Sequence, residues 1–276
     1  MHWQTARYSI DLSRPRVMGI VNLTPDSFSD GGRYASTRAA LAHCELLLAH
    51  GAHILDLGAE SSRPGTPPVS QEEELARLLP VLREAVTLGV PVSVDTYKPE
   101  VMRQALEIGA DIVNDIWALR QPGAREAVAA HPLCGVCLMH MHGEPQTMQR
   151  SPMEGDAVPQ VQAFLERETT ALRSLGVAAE RIVWDMGIGF GKSVEQNFAL
   201  LARQQELLSA GYPLLAGWSR KSSLGTVTGL PVNDRLAPSL AAALLAVERG
   251  ARIVRVHDVR ETIAALKVWA ATISIA

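Results

Sequence analysis

The feature that most constrains the fold is a regular alternation of short apolar, β-branched runs with segments of helical character. Eight such runs occur, and because no Pro/Ser-rich linker or low-complexity tract divides the chain, residues 1–276 are predicted to form one domain. Strands and helices in alternation are typical of parallel strands joined by helical crossovers. The runs span residues 16–22, 53–58, 91–96, 111–115, 135–141, 181–187, 213–219 and 252–258.

The number of repeats and the chain length favour a closed eight-fold β/α barrel, the TIM-barrel architecture. An open doubly wound sheet remains the alternative. Residues 1–14 precede the first run, and we expect them to add a short hairpin-like extension at the barrel floor. Local signals support the helices: Gly51 is a predicted C-cap, Ser70 and Ser193 open predicted capping boxes, and Pro99 suits a first helical position.

Charge and composition argue against several classes of partner. The net charge is -3 and the pI is about 6.2, so neither nucleic acid nor an anionic membrane is an expected partner. The longest apolar stretch, residues 240–247, is far shorter than the roughly 20 residues that span a bilayer. The amino end has no signal-peptide core, and the three cysteines have no disulfide pattern, which together favour a cytoplasmic protein.

Two patterns have a metal or redox alternative. Cys134 and Cys137 form a CxxC, but no second pair completes a zinc site, so two buried thiols are the favoured interpretation. His140 and His142 are predicted to alternate on one strand and to share a face, which leaves a metal site open as an alternative.

Polar residues stand near the carboxyl end of almost every predicted strand. In a β/α barrel these ends meet at one mouth, where function is located. The set would bring carboxylates, amides and cations around a single cavity, an arrangement that strand termination alone explains poorly. The residues are Asn22, Asp56, Glu60, Asp95, Asn114, Asp115, His140, Asp185, Ser219 to Lys221, and Arg255 to Asp258.

The segment "GIGFGKS", residues 187–193, resembles a phosphate loop but matches neither nucleotide template. A Walker A pattern needs glycine at the position of Met186, and the spacing of Gly187, Gly189 and Gly191 differs from a dinucleotide fingerprint. The glycines are predicted instead to let the backbone pass close under a flat ligand.

Eight segments together resemble the dihydropteroate synthase family, in order and with family-like spacing. The resemblance implies an eight-fold β/α barrel that condenses 6-hydroxymethyl-7,8-dihydropterin diphosphate with 4-aminobenzoate, releasing pyrophosphate and using Mg²⁺. The segments are "VMGIVNLTPDSFSDGGRY", "ESSRPG", "SVDTYKPEV", "IVNDI", "LMHMHGEPQTMQ", "GFGK", "GWSRKS" and "RVHDV".

The resemblance also implies site residues. The pterin is expected to contact Asp95, Asn114, Met139, Asp185, Gly217 and Lys221. The diphosphate is expected to meet Arg63, Arg255 and His257, with Asn22 as a ligand of Mg²⁺. The implied catalytic residues are Arg63, Asp95, Asp185 and Lys221.

The 4-aminobenzoate is expected nearer the surface, between Phe190 and Pro64 and beside the Lys221 stem. Ser62 belongs to the same loop, and Ser222, at a predicted helix start, suits the benzoate carboxylate. The loops 22–32, which carries Phe28, and 58–68 are expected to close over both substrates.

Two departures from the family pattern fall in the site. Met186 stands where the family usually has Pro, and Ser62 where it usually has Thr. The rival interpretations are a pterin-binding methyltransferase barrel, which has no need of the diphosphate cations, and a pterin-binding barrel that has lost turnover, for which Met186 is the support. The resemblance further implies a homodimer, for which the apolar helix 239–249 is the candidate surface.

Overall fold

Eight parallel strands close into a barrel in the computed structural model, which describes residues 1–24, 32–61 and 65–273. The strands follow one another around the barrel in chain order, and the last pairs with the first, so the open-sheet alternative is wrong. Two strands that precede the barrel are β1 (His2–Gln4) and β2 (Ser9–Asp11). The barrel strands are β3 (Arg16–Asn22), β4 (Ile54–Gly58), β5 (Val92–Asp95), β6 (Ile112–Asp115), β7 (Gly135–Met139), β8 (Ile182–Asp185), β9 (Leu214–Ala216) and β10 (Ala251–Val256).

Helices cover the outside of the barrel. Their bounds are α1 (Gly32–Ala49), α2 (Gln71–Ala85), α3 (Pro99–Ile108), α4 (Ala124–Ala130), α5 (Ala157–Arg173), α6 (Val194–Ala202), α7 (Ser222–Thr228), α8 (Leu236–Glu248) and α9 (Val259–Ile273), with short 3-10 helices at Ala179–Arg181, Gln204–Ala210 and Val232–Asp234. No helix within the described residues is both long enough and apolar enough to span a membrane.

The local helix signals were largely correct. Ser193 forms a reciprocal capping box with Gln196, whereas Ser70 accepts from the Glu73 N–H without the reciprocal bond. Helix α3 begins at Pro99, and Gly51 follows α1 with φ +98°, a left-handed conformation that glycine adopts at little cost. Strand β7 is shorter than predicted, because it ends at Met139 and leaves the two histidines on the following loop.

The register aligns the carboxyl ends of neighbouring strands. Asn22 lies opposite Gly58, Gly58 opposite Asp95, and Asp95 opposite Asn114. On the far side of the barrel, Met139 lies opposite Asp185. The residues that end these strands therefore share one level, which is the mouth of the barrel.

The hairpin of β1 and β2 closes the end of the barrel opposite the mouth, where the sequence predicted a hairpin-like extension. Trp3 pairs with Ile10, is fully buried, and donates from its indole N–H to the Arg181 carbonyl at 2.9 Å. It packs on inward-facing apolar side chains of the barrel. These inner residues are Met18, Ile54, Ile112, Cys137, Val183, Leu215 and Ile253.

A buried carboxylate attaches the hairpin loop to the barrel. Asp111 is fully buried and accepts from the Arg7 backbone N–H at 3.0 Å, from the Arg7 guanidinium at 2.6 Å, and from the Val92 N–H at 2.9 Å. Each bond to a charged acceptor is stronger than a neutral one. This carboxylate thus connects the floor loop, β5 and β6.

We predict that Asp111→Ala destabilises the protein by on the order of 3 kcal/mol, because it leaves Arg7 without its anion and the buried Val92 N–H without an acceptor. Urea unfolding measures the change. The control is Glu206→Ala, which breaks an exposed ion pair with Arg203 and is expected to leave the unfolding midpoint almost unchanged. Equal midpoints for the two variants would contradict the role given to Asp111.

Candidate active site

Strand alternation places most of the predicted site residues on the inner face of the barrel. Successive side chains of a strand point to opposite sides, so residues two or four places after an inner apolar residue also point inward. Because Met18, Ile112 and Val183 point inward, this rule predicts that Asn22, Asn114 and Asp185 also point inward. The same spacing assigns Asp56, Met139, Gly217, Arg255 and His257 to the inward set.

Some predicted residues lie outside the described part of the chain. Ser62, Arg63 and Pro64 of the second loop are among them, as is Phe28 of the first loop. The site described below is therefore built from the strand ends and from the loops that follow β5 to β10.

Arg255 connects two carboxylates at the centre of the mouth. Its Nε donates to Asp56 Oδ2 at 2.6 Å, and its Nη2 donates to Asp95 Oδ2 at 2.7 Å. Burial opposes the charge of Arg255, but the two carboxylates outweigh it and raise its pKa. The prediction from the sequence was that Arg255 binds the diphosphate only. In the structure its guanidinium also neutralises Asp56 and Asp95.

Asp56 and Asp95 have different surroundings. Asp56 is fully buried, and its Oδ2 also accepts from Asn114 Nδ2 at 3.3 Å. Its Oδ1 is buried and has no hydrogen-bond partner within the described residues. Burial raises the pKa of Asp95 to about 7, although Arg255 acts to lower it. The prediction placed Asp56 at a strand end but gave it no role in the site.

Asp185 and Lys221 form the opposite side of the mouth. Asp185 is 6% exposed, and its Oδ1 accepts from the Gly187 N–H at 2.7 Å. Burial raises the pKa of Asp185, while that N–H and the Lys221 ammonium act to lower it. Burial lowers the pKa of Lys221 to about 8, because it disfavours the charged ammonium, although the Asp185 carboxylate acts to raise it. A side chain at Gly217 would come within 3.9 Å of Asp185 Oδ2, so the glycine keeps this side of the carboxylate open.

An apolar wall stands beside these charges. Met139 and Phe190 are buried and pack with Ile116, Met141 and Met148 in one cluster. The Lys221 ammonium lies 4.3 Å from the Phe190 ring centroid, within the range of a cation–π contact. Ser222 follows as the exposed first residue of α7, where the prediction placed a helix start.

The sequence reasoning missed Lys192. This lysine is 2% exposed, and its ammonium donates to the carbonyls of Gly187, Phe190 and His140 at 2.8, 3.1 and 3.3 Å. Burial lowers its pKa to about 7. It fastens the loop after β8 to the segment after β7. Its only sequence signal was its place in "GFGK".

The glycines of that loop have a different role from the predicted one. A Cβ at Gly187 would lie 1.8 Å from the His140 carbonyl oxygen, and one at Gly191 would lie 2.1 Å from the His142 carbonyl oxygen. Both have positive φ. The close approach that these two glycines permit is therefore to the neighbouring protein backbone, which requires glycine there for a reason that the prediction did not include.

Ser219 and His257 meet at the end of β10. The His257 backbone N–H donates to Ser219 Oγ at 3.1 Å, and that oxygen lies 2.9 Å from His257 Nδ1. Nearby, the Arg220 guanidinium binds both oxygens of Asp258. These contacts fix the loop that leads from β9 to Lys221.

The alternatives for the cysteines and histidines find no support. Cys134 and Cys137 are free and buried. His140 is buried against Phe164, and burial lowers its pKa to about 2, whereas His142 is exposed. Within residues 1–24, 32–61 and 65–273, no group of three or more His, Cys, Asp or Glu is arranged to hold a metal ion. Met186 is buried in the apolar layer outside the strands, not in the mouth.

Known proteins match the chain over nearly its whole length. The pterin binding enzyme family matches residues 18–257. The dihydropteroate synthase of Neisseria meningitidis is 50% identical over 98% of this chain and 96% of its own. The structure of the Burkholderia cenocepacia enzyme complexed with 7,8-dihydropteroate is 51% identical, with a TM-score of 0.91 over 99% of this chain and 97% of that one. The Xanthomonas albilineans enzyme with 4-aminobenzoic acid is 47% identical, with a TM-score of 0.92 over 99% and 98%. The chain therefore belongs to the dihydropteroate synthase family of pterin-binding enzymes.

Proposed function

We propose that this chain condenses 6-hydroxymethyl-7,8-dihydropterin diphosphate with 4-aminobenzoate, giving 7,8-dihydropteroate and pyrophosphate. The observation that carries the proposal is the ring of inward-facing polar residues at one mouth, in which Asp185 lies near the cations Lys221 and Arg255 and Asn114 binds Asp56. The related structures that contain 7,8-dihydropteroate and 4-aminobenzoic acid support the same substrates.

Asp185 is the proposed acceptor for the pterin edge. That edge presents a ring N–H beside an exocyclic amine, and a carboxylate accepts two parallel donors in a fork geometry. The open side that Gly217 leaves at Asp185 Oδ2 gives a flat ring access to it. Asn114 and Lys221 supply an amide and an ammonium for the other polar atoms of the ring, and Met139 supplies an apolar contact.

Arg255 and His257 are proposed to bind the diphosphate from the end of β10, together with Arg63 of the second loop. A planar guanidinium suits paired phosphate oxygens. Two donors of Arg255 bind Asp56 and Asp95, so its remaining N–H groups are the ones that would face the phosphates first.

Asn22 is the proposed protein ligand of Mg²⁺. It belongs to the inward set, and a neutral amide oxygen is the kind of ligand that magnesium accepts. The ion would take its other ligands from the diphosphate and from water, a donor set that fits magnesium, which binds few protein ligands at phosphate sites. When bound, the ion neutralises charge on the leaving diphosphate.

Asp185 is proposed to stabilise the charge that develops when the C–O bond to the diphosphate breaks. The methylene carbon becomes cationic, and the dihydropterin ring delocalises this charge. At about 6 Å and an effective dielectric constant near 20, one carboxylate contributes roughly 3 kcal/mol, on the order of a hundredfold in rate. Asp95 contributes less in this arrangement, because Arg255 already neutralises it. The lone pair of the neutral arylamine then forms the new C–N bond, and the resulting acidic arylammonium loses its proton to water or to the released pyrophosphate, so no general base is essential.

The aminobenzoate is proposed to lie against the Phe190 ring, beside the aliphatic stem of Lys221. Ser222 and the first N–H groups of α7 would meet its carboxylate. Ser62 and Pro64 are assigned to the same pocket from the family resemblance alone. We also propose that the protein is a cytoplasmic homodimer that pairs through residues 239–249, where Leu245 is 44% exposed.

Turnover itself separates the proposal from its rivals. We predict that the purified protein releases pyrophosphate only when the pterin diphosphate, 4-aminobenzoate and Mg²⁺ are all present. A pterin-binding methyltransferase would bind the pterin ring without needing the diphosphate cations, and a barrel that had lost turnover would bind it and release nothing. Absence of pyrophosphate under these conditions would contradict the proposed function.

The second prediction concerns Asp185→Asn. An amide offers one acceptor and one wrong donor to the pterin edge, and it removes the negative charge, so kcat/KM should fall by about a hundredfold or more. The control is Asp156→Asn at the start of α5, where Asn still caps the helix and activity should be unchanged. Near-normal kcat/KM in Asp185→Asn would overturn its assignment.

The third prediction distinguishes the two residues at the end of β10. His257→Ala should weaken pyrophosphate binding by about tenfold, the value of one charge-assisted hydrogen bond, and leave a phosphate-free pterin within twofold. Arg255→Ala should weaken both ligands, because it leaves Asp56 and Asp95 without their cation. Calorimetry with each ligand measures both effects. Equal losses for the two ligands in His257→Ala would mean that this residue has a structural role.

A further inference from the structure

A lysine that the mechanism does not use joins two separate parts of the chain. The Lys98 ammonium lies between Glu60 and Glu74, bound to Oε2 of each carboxylate. Glu60 follows strand β4, and Glu74 lies in the first turn of helix α2. Most of the second loop, residues 58–68, runs between these two residues. Lys98 thus holds both stems of that loop.

The cluster is too buried to be an incidental surface ion pair. The side chains of Lys98 and Glu60 are each 14% exposed, and that of Glu74 is 2% exposed. Tyr97 donates from its hydroxyl to the other oxygen of Glu60 at 2.9 Å, and its ring lies 4.6 Å from the Lys98 ammonium. Without the lysine, two carboxylates would face each other in a poorly solvated place.

The backbone of Lys98 is fixed on its own side. Its N–H donates to Thr96 Oγ1 at 3.2 Å, and Pro99 begins helix α3 directly after it. Asp95 ends strand β5 three residues earlier. One short turn therefore carries a carboxylate of the pterin site at one end and the ammonium that holds the second loop at the other.

The stems are also connected by a second contact. Arg77 of helix α2 donates to the carbonyl of Ala59 at 3.0 Å, next to Glu60. A pocket opens between these stems and the site, and its lining includes Glu60, Thr66, Asp95 and Tyr97. The contacts that define the geometry of the stems therefore lie beside the pocket to which Thr66 of the second loop contributes.

We propose that Lys98 is a positioning residue for the condensation, holding the stems of the second loop so that the loop meets 4-aminobenzoate. The inference rests on the proposed function and adds to it a residue that touches neither substrate. A well-packed apolar side chain would stabilise such a place about equally well, so a buried ion cluster here is better explained by the geometry that it imposes than by stability.

The test compares Lys98→Met with Lys98→Arg. We expect Lys98→Met to raise the KM for 4-aminobenzoate at least tenfold. The KM for the pterin diphosphate should rise by less, about threefold, because Arg63 is the only one of its three proposed cationic partners that lies on this loop. Lys98→Arg keeps a cation that reaches both carboxylates, so it should bring the KM for 4-aminobenzoate back to within threefold of the wild type. Should Lys98→Met fail to fold, Glu60→Gln is measured instead, with a rise of at least threefold in the same KM.

The control is Arg125→Met. Arg125 pairs with Glu168, which is 4% exposed and belongs to neither loop stem, so this variant also removes a cation from a buried glutamate, although Arg167 still pairs with it. It should lose some stability and keep both KM values. A normal KM for 4-aminobenzoate in Lys98→Met would overturn the inference, and so would an equal rise of this KM in Arg125→Met. In either case, turnover by the wild-type protein would leave the proposed function intact. Absence of wild-type turnover would overturn both.

Discussion

The contact of Arg255 with Asp56 and Asp95 is the interaction on which the mouth of the barrel depends. Burying two carboxylates is costly unless a cation and hydrogen bonds compensate them. Asp56 and Asp95 belong to β4 and β5, whereas Arg255 belongs to the last strand, β10. Only closure of the barrel, in which β10 pairs with β3, brings this guanidinium next to the early strands. The site therefore forms only when the barrel is closed.

The remaining charges follow the same logic of compensation. Asp185 lies near Lys221 on one side of the mouth, and Lys98 neutralises Glu60 and Glu74 on the other. Most acids near the site thus lie beside a cation from another strand or loop, whereas Asp115 accepts from the backbone N–H groups of Trp117 and Leu119. In the proposed reaction, the carboxylates can pair with the cationic carbon and the protein cations can pair with the diphosphate. No buried charge is then left without a partner.

Much of this was readable from the sequence, since strand alternation and strand ends are local properties. Asp95, Asn114, Asp185 and Arg255 could be placed at one mouth from the repeated pattern alone. Contacts between loops could not be predicted in the same way. Lys192 binds carbonyls from two loops, and the need for glycine at 187 arises from the His140 carbonyl, so neither has a signature in its neighbouring residues.

The most direct test of the account is a crystal structure of this protein with 7,8-dihydropteroate. We predict that both oxygens of Asp185 accept hydrogen bonds from the pterin edge at about 2.7–3.2 Å. Asn114 and Lys221 should form hydrogen bonds with the other polar atoms of the ring. The aminobenzoate ring should lie against Phe190, with its carboxylate near Ser222. A pterin bound away from Asp185, or an aminobenzoate ring on the far side of the mouth from Phe190, would contradict it.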